Sequence, residues 1–332
     1  MNLEQHSIHA FIEKYNIKTD TGVPLDFKDH AFMWDIYRDL SPYQVIMKAA
    51  QVTMSTCAII KALWVSKFKR MDLIYTLPTE SDRNTFVGGK VNRIIAQNPI
   101  LLEWTKDKDS VEQKQVGDNF IHLRGTWTQR TAIMIPSDLN IYDEIDASKQ
   151  DVIEQYATRL QHSKYRWEWV FSHPSASGFG VDRYWQQSSQ RHWLIRCNDG
   201  HEQYLSWPDS INQEKGIFQC KICGIELTDE NRRRGRWAKR KGQESAKYSG
   251  YWVSLLMCPW VSAKQIIGYH KEKTEEYFHN KVLGIPYIGG GNKLTWGMFV
   301  QNLSSKLIQP KEDEVMVIGV DTGLKLDYVM GG

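Results

Sequence analysis

The stretch that most constrains the fold of this chain is YQVIMKAAQVTMSTCAIIK, residues 43–61. Its first residues are rich in Val and Ile and predict a buried strand over residues 43–47. Apolar side chains at helical spacing predict a helix over residues 56–67. The loop between them lies where a phosphate-binding loop would lie, because backbone N–H groups at a helix N-terminus favour an anion.

The loop departs from the common phosphate-loop pattern G-x-x-x-x-G-K-[ST]. Thr53 stands at the second glycine and Met54 at the lysine. The hydroxyls of Ser55 and Thr56 remain as possible Mg²⁺ ligands, and Lys48 at the front of the loop can reach back over the phosphates. The alternative is a purely structural loop in which Ser55 or Thr56 is the helix N-cap.

Composition bounds the class of protein. The 332 residues suffice for one large or two modest domains, and a net charge of +3 means that any nucleic-acid contact must come from local patches. Five cysteines form no disulfide framework, which favours a reducing compartment. We expect neither a transmembrane helix nor a signal peptide, and no membrane partner.

Strands and helices alternate along the chain, which predicts an α/β fold with a parallel sheet. Residues 1–42 are predicted to be mostly helical. Further strands are predicted over residues 71–76, 119–123, 139–142, 167–171 and 250–256, and helices over residues 79–95, 148–162 and 262–283. A cluster before the first strand can stack on an adenine ring or pack in the core: Phe27, His30, Phe32, Met33, Trp34 and Tyr37.

Asp143 and Glu144 end the strand of DLNIYDEID. Ligands of open α/β sheets bind at the carboxyl ends of strands. There, an Asp can hold Mg²⁺ through water and an adjacent Glu can polarise the attacking water. The alternative is a helix N-cap. The polar loop 172–178 follows the next strand and is either a nucleotide-sensing loop or a plain surface loop.

The order KAAQVTMST, IYDEID, SHPSASGFGVDRYW resembles the large terminase subunit of tailed double-stranded-DNA bacteriophages, in the branch whose ATPase domain carries a zinc-ribbon insertion. This resemblance implies a P-loop NTPase fold of the RecA/ASCE type. It also implies ATP hydrolysis that drives double-stranded DNA into a preformed capsid, with ATP and Mg²⁺ as cofactors.

The resemblance also implies residue roles. Lys48 matches a lysine displaced to the front of the loop, Asp143 and Glu144 match the Walker B pair, and Ser172 to Ser175 match the coupling motif. The rest of the loop is matched by Gln51, Val52, Thr53, Met54, Ser55 and Thr56. The chain departs from the family at Thr53, usually glycine, and at Ala50, often arginine. Arg124 and Arg130 are candidates for an arginine finger that reaches a neighbouring subunit.

Two pairs of metal-binding residue types follow at zinc spacing, C-x₃-H and C-x₂-C. They predict a structural Zn²⁺ on Cys197, His201, Cys220 and Cys223. The alternative is free thiols beside a surface histidine. Cys57 and Cys258 lie in apolar contexts and are predicted to be buried core thiols.

The remaining features are a basic run and a C-terminal strand. Residues 231–242, NRRRGRWAKRKG, suit either DNA binding or a solvated charged surface. A glycine-rich linker is predicted over residues 286–295. Residues 315–323 resemble the first strand of an RNase H-like nuclease with Asp321 as its first metal ligand. We expect that strand to lack partners, and the chain to lack nuclease activity.

Four regions are predicted: residues 1–190, the ATPase core; 191–245, the zinc ribbon and basic segment; 246–290, the rest of the ATPase domain; and 291–332, the linker and truncated nuclease. The resemblance implies a homo-oligomeric ring on the procapsid in the host cytoplasm, with double-stranded DNA, the small terminase subunit and the portal protein as partners. The alternatives are a helicase-like translocase, and a non-catalytic zinc-ribbon DNA-binding module with a degenerate phosphate loop.

Overall fold

A mostly parallel sheet forms the centre of the computed structural model, which describes residues 2–105, 107, 109–128, 135–287, 289, 317–322 and 326–331. The strands are β1 Tyr43–Lys48, β2 Leu73–Leu77, β3 Gln113–Val116, β4 Asn119–Gly125, β5 Leu139–Asp143, β6 Trp167–Ser172, β7 His192–Arg196, β8 Glu202–Gln203, β9 Ile211–Asn212, β10 Ile217–Phe218, β11 Gly235–Ala238, β12 Ser249–Val253, β13 Val317–Thr322 and β14 Leu326–Gly331.

Helices flank this sheet. They are α1 Ile8–Lys14, α2 Met33–Arg38, α3 Met54–Lys69, α4 Glu80–Phe86, α5 Asn92–Gln97, α6 Pro99–Trp104, α7 Gln150–Ala157, α8 Gly180–Trp185, α9 Asp229–Arg233, α10 Ala263–Glu272 and α11 Glu275–Tyr277. Two π-helical segments, Val87–Val91 and Phe278–Leu283, continue α4 and α11. In the part of the chain that the structure describes, no helix has the length and apolar character needed to cross a membrane.

Among the described residues, seven strands pair in the order β12-β1-β6-β5-β2-β4-β3. All neighbours are parallel except β3, which pairs antiparallel with β4. The predicted parallel α/β sheet is therefore confirmed, with one antiparallel edge. Only an antiparallel pair can be joined by a turn as short as the one between β3 and β4.

Alternate side chains of β1 enter two different cores. Ile46 packs with α3 on one face of the sheet, whereas Val45 and Met47 pack with α7 and α8 on the other. A parallel sheet covered by helices on both faces is buried on both, and β1 accordingly has five buried residues in succession after Tyr43. The carboxyl ends of β1, β5 and β6 are neighbours and open onto one cavity.

Three helix predictions need correction. The helices in the described residues 2–42 are α1, α2 and the short turn Leu3–Gln5, because Gly22 at φ +81° and Pro24 support an irregular connection. The helix predicted over residues 148–162 is helical to Ala157 and continues as a 3₁₀ turn. The helix predicted over residues 262–283 is interrupted at Lys273, after which the Thr274 side chain accepts a hydrogen bond from the Tyr277 N–H.

The chain divides into two compact units, residues 1–295 and 296–332. In the second unit β13 pairs antiparallel with β14, with Asp321 opposite Asp327. The prediction of a strand without partners is therefore wrong, because β14 supplies one. Most of the predicted glycine-rich linker lies outside the described residues, and the four predicted regional boundaries stay predictions.

Candidate nucleotide-binding and metal sites

The loop between β1 and α3 turns through two left-handed residues. Gln51 has φ +59° and Thr53 has φ +61°. This region of backbone space favours glycine, which explains why the common phosphate-loop pattern carries glycine at the position that Thr53 holds. Thr53 precedes the first residue of α3, and its side chain makes no capping bond to the helix.

The loop ends in the first turn of α3, where Thr56 is buried and Ser55 is half-buried. Both lie inside the helix, so the interpretation of either residue as its N-cap is wrong. Their hydroxyl groups are instead available at the wall of a cavity.

That cavity has a volume of about 600 Å³ and runs from the loop to the N-terminal segment. Four members of the predicted aromatic cluster line it, namely Phe27, His30, Met33 and Tyr37. Phe32 is buried elsewhere in the core, and Trp34 stacks on His9 at 3.6 Å between ring centroids. The cavity is also lined by Thr19, Asp20, Thr21, Val23, Pro24, Leu25, Asp26, Asp29, Lys48, Ala50, Gln51, Val52, Thr53, Met54, Ser55, Thr56, Lys90, Glu144, His173 and Lys281.

An ion pair joins the ends of two strands at one side of this cavity. Lys48 Nζ lies 2.8 Å from Glu144 Oε1, although the two residues are 96 positions apart. Burial opposes ionisation of both groups, but the charge of Lys48 lowers the pKa of Glu144 and the charge of Glu144 raises the pKa of Lys48. The pair is therefore charged, and Glu144 is held as an acceptor.

Asp143 is buried beside this pair at the end of β5. Its Oδ2 accepts a 2.6 Å hydrogen bond from the Tyr75 hydroxyl. Burial, and then the neighbouring charge of Glu144, raise the pKa of Asp143. Glu144 itself has φ +56° and does not cap α7, whose N-cap is Lys149. The alternative that this acidic pair caps the helix predicted over residues 148–162 is therefore wrong.

The predicted coupling loop contacts the same carboxylate. His173 Nδ1 lies 2.7 Å from Glu144 Oε2, and the buried Ser172 hydroxyl donates to the same oxygen at 3.3 Å. The other ring nitrogen of His173 contacts Lys281 Nζ. The sequence pattern gave no specific role to His173 within the loop and contained no signal for Lys281.

Asp146 connects the acidic segment after β5 to the polar coupling loop after β6. Its Oδ1 accepts from the Ser175 N–H and hydroxyl, both at 2.8 Å, and its Oδ2 accepts from the Val181 N–H at 2.8 Å. Gly180 passes so close that an added Cβ would lie 2.4 Å from the Asp146 carboxyl carbon. Asp146 therefore fixes the coupling loop to the segment that carries Glu144.

The four predicted metal ligands meet in one cluster. The donor atoms of Cys197, His201, Cys220 and Cys223 all lie within 4.8 Å of one another. Cys197 Sγ is 3.9 Å from Cys223 Sγ and 3.5 Å from His201 Nδ1. A tetrahedral zinc with its usual bond lengths separates two sulfurs by about 3.8 Å and a sulfur from a nitrogen by about 3.6 Å. The donors and their spacing fit Zn²⁺.

Hydrogen bonds favour the thiolate form of one cysteine in this cluster, Cys220. Burial opposes it, but N–H groups of Cys223 and Ile222 and the Gln203 amide, which donates at 2.8 Å, lower the pKa of Cys220 to about 6. A thiolate is the form that binds a metal. Cys57 and Cys258 are fully buried away from the cluster, as predicted.

Comparison with known proteins places the chain in a family. A family model described as the ATPase domain of the phage terminase large subunit gpA matches residues 37–243. The chain belongs to this family. It contains the ATPase domain of a phage terminase large subunit, the ATP-hydrolysing motor of phage DNA packaging. No protein with curated annotation gives a significant sequence match.

Solved terminases show the same fold. The ATPase domain of the Thermus phage P74-26 large terminase matches with a TM-score of 0.50 and 11% identity, over 79% of this chain and 94% of that chain. A mutant of that domain gives a TM-score of 0.51 at the same identity and coverage. The large terminase of bacteriophage HK97 gives a TM-score of 0.46 at 14% identity, over 55% of this chain and 40% of that chain.

Part of the basic run of this terminase is engaged in contacts within the chain. Arg232 is buried, and its guanidinium donates to the carbonyls of Leu256, Cys258, Pro259 and Val261. The next arginines form ion pairs: Arg233 with Asp29, Arg234 with Glu230 and Arg236 with Glu202. The exposed members of the run are Arg234, Arg236, Lys239, Arg240 and Lys241, so a DNA-binding surface and a solvated charged surface both stay predictions.

Arg124, one of the two arginine-finger candidates, is not among the described residues that line the cavity. Arg124 donates to the carbonyls of Glu112 and Leu123. Arg130 lies outside the described residues, and the assignment of a finger to either stays a prediction.

Proposed function

We propose that this terminase binds ATP in the cavity above β1 and hydrolyses it with Glu144 as the general base. The observation that carries the proposal is the 2.8 Å ion pair between Lys48 and Glu144 beside the loop 48–56. It brings together a candidate phosphate-binding lysine at the end of β1 and a candidate water-polarising carboxylate after β5, on either side of β6, and phosphoryl transfer uses both types of group.

The phosphates would lie over the loop, held by Lys48 and by backbone N–H groups of residues 51–56. The hydroxyl of Ser55 or Thr56 would hold Mg²⁺ together with Asp143, acting through water. Hydroxyl and carboxylate oxygens are the ligands that Mg²⁺ prefers, and Asp143 lies at the strand end next to Glu144. When bound, the ion would neutralise charge that develops on the phosphates.

The base of the nucleotide would lie against the N-terminal segment. Phe27, His30 and Tyr37 line that part of the cavity, and aromatic rings stack favourably on a purine. Stacking on the base is proposed only for the aromatic residues that line the cavity. Phe32 and Trp34 do not line it, so this role is not proposed for them.

Zn²⁺ on Cys197, His201, Cys220 and Cys223 would be structural, because four protein ligands leave no open position for chemistry. It would fasten the turn after β7 to the turn after β10. The metal would therefore supply folding free energy to the insertion.

The proposed partners are those that the resemblance to the family implies. We propose that the chain works on double-stranded DNA as part of a homo-oligomeric ring at the procapsid portal in the host cytoplasm, with the portal protein and a small terminase subunit. Membership in the terminase family supports a DNA-packaging role in general.

The test is steady-state ATP turnover by the purified chain, with and without double-stranded DNA. Turnover that DNA stimulates without strand separation is the expected result. Strand separation would favour a helicase-like translocase instead. Absence of nucleotide binding would overturn the proposal and favour a non-catalytic DNA-binding module.

A further inference from the structure

Lys281 lines the cavity together with the phosphate loop, residues 48–56, and this side of the cavity is called its phosphate end. The sequence motifs do not include this lysine. Its Nζ contacts His173 Nε2, and His173 Nδ1 lies 2.7 Å from Glu144. A neutral imidazole protonated on Nδ1 satisfies both contacts, since Nδ1 donates to the carboxylate and Nε2 accepts from the ammonium. Lys281 is thereby placed one side chain away from the proposed general base.

The backbone around Lys281 is fixed against the phosphate loop. The Lys281 carbonyl accepts a 2.8 Å hydrogen bond from the Ala50 N–H. Gly284 has φ +68°, and a Cβ there would lie 2.7 Å from the Ala49 nitrogen. Only glycine allows so close an approach, so the loop and the segment 281–284 are held as one unit.

The same segment also contacts the coupling loop. The Tyr287 N–H donates to the Ser175 carbonyl at 3.3 Å, and the Trp252 indole donates to the carbonyls of Leu283 and Gly284 at 3.0 Å. Residues 281–287 therefore touch the phosphate loop, the end of β12 and the coupling loop. In sequence they lie close to the end of the first unit, at residue 295.

Three lysines, Lys48, Lys90 and Lys281, line this end of the cavity together with Glu144. The carboxylates of Asp143 and Asp146 also lie within electrostatic range of Lys48. The other acidic side chains that line it come from the N-terminal segment. Burial lowers the pKa of Lys281, and its contact with His173 offers it an acceptor without a formal charge. A phosphate oxygen would be the stronger partner for its ammonium group.

We propose that Lys281 is a ligand of the terminal phosphate of the bound nucleoside triphosphate. On binding, its ammonium group leaves His173 for that phosphate, and loss of the phosphate returns it. The contacts of residues 281–287 carry this difference between triphosphate and diphosphate states to the end of the ATPase unit. This inference rests on the proposed function, because it places the triphosphate in the same cavity.

The test compares equilibrium affinities for ADP and for a non-hydrolysable ATP analogue, both with Mg²⁺. Lys281→Ala should weaken binding of the triphosphate about 10- to 100-fold, as loss of a charge-assisted hydrogen bond does, and change ADP affinity less than about twofold. Lys281→Arg should recover part of the discrimination, because it restores the charge. Lys271→Ala, an exposed lysine on α10, is the matched control and should match the wild type.

Each outcome bears on a different claim. Equal weakening of both nucleotides would assign Lys281 a structural role and overturn the inference, and so would unchanged affinity for both. If the wild-type chain binds neither nucleotide, the proposed function fails and this inference fails with it. Thermal unfolding of each variant without nucleotide separates misfolding from lost binding. If Lys281→Ala is unfolded, the affinities of Lys281→Arg for the two nucleotides serve as the test. Equal affinity of Lys281→Arg for the triphosphate and the diphosphate would overturn the inference.

Discussion

The phosphate site and the Cys/His cluster are assembled in opposite ways. The cluster joins residues at most 26 positions apart, from two turns of one small insertion. The phosphate site joins Lys48 to Glu144 over 96 positions and His173 to Lys281 over 108. The spacing of the cluster is visible in the sequence because its ligands are local. For the phosphate site, the sequence predicts only those residues that belong to a recognisable motif at the end of a strand.

The two sites also differ in what stabilises them. The proposed zinc site would draw its folding energy from the metal, so its geometry depends on an ion. The charged residues of the phosphate site are positioned by buried parallel strands and by hydrogen bonds such as those of Asp146. Disruption of one site should therefore leave the binding function of the other intact.

Substitution of the proposed base is expected to have the largest effect. Glu144→Gln keeps the size of the side chain but removes its basicity, and loss of a general base costs about 10²- to 10⁴-fold in rate. Nucleotide affinity and metal content should remain. Phosphate release, a binding titration and elemental analysis measure these quantities. Glu154→Gln, exposed on α7, is the matched control, and near-normal turnover by the Glu144 variant would refute the assignment.

Disruption of the cluster should have the converse result. Purified wild-type chain should hold about one zinc, and Cys220→Ser should hold none after dialysis against a chelator, because one of four ligands is lost. The nucleotide affinity of Cys220→Ser should stay near that of the wild type. A nucleotide affinity that falls together with the zinc content would contradict the independence of the two sites. Cys258→Ala removes a thiol outside the cluster and should retain the metal.

The smallest effect is expected in the loop itself. Thr53→Gly relieves a left-handed backbone at a non-glycine residue and should raise the free energy of unfolding by about 0.5–1 kcal/mol. Thr85→Gly in helix α4 is the control and should lower it by a few tenths of a kcal/mol, since glycine is a poorer helix former. Chemical denaturation measures both. A destabilised Thr53→Gly chain would show that the threonine side chain contributes more than its strain costs.

Basic residues can have structural roles that composition does not reveal. The run 231–242 suits a nucleic-acid surface by composition, yet Arg232 is buried and stabilises four carbonyl groups of residues 256–261. Lys61 is similarly buried, donating to the carbonyls of Ile36 and Asp39 and to the Gln44 side chain. A long basic side chain can satisfy backbone acceptors inside the protein, and composition does not distinguish this from exposure.

The sequence by itself determined the local features of this protein. The strand before the loop, the acidic pair at the end of β5 and the four Cys/His ligands depend on short-range patterns, because hydrophobic periodicity and ligand spacing act over one or two elements. Only the tertiary structure decided which chemistry meets in the cavity. The pairing of Glu144 with Lys48, the bridge through His173 and the arrival of Lys281 depend on strand order and on a close approach at Gly284. Contacts between distant elements are set by packing of the whole sheet, which no local pattern records.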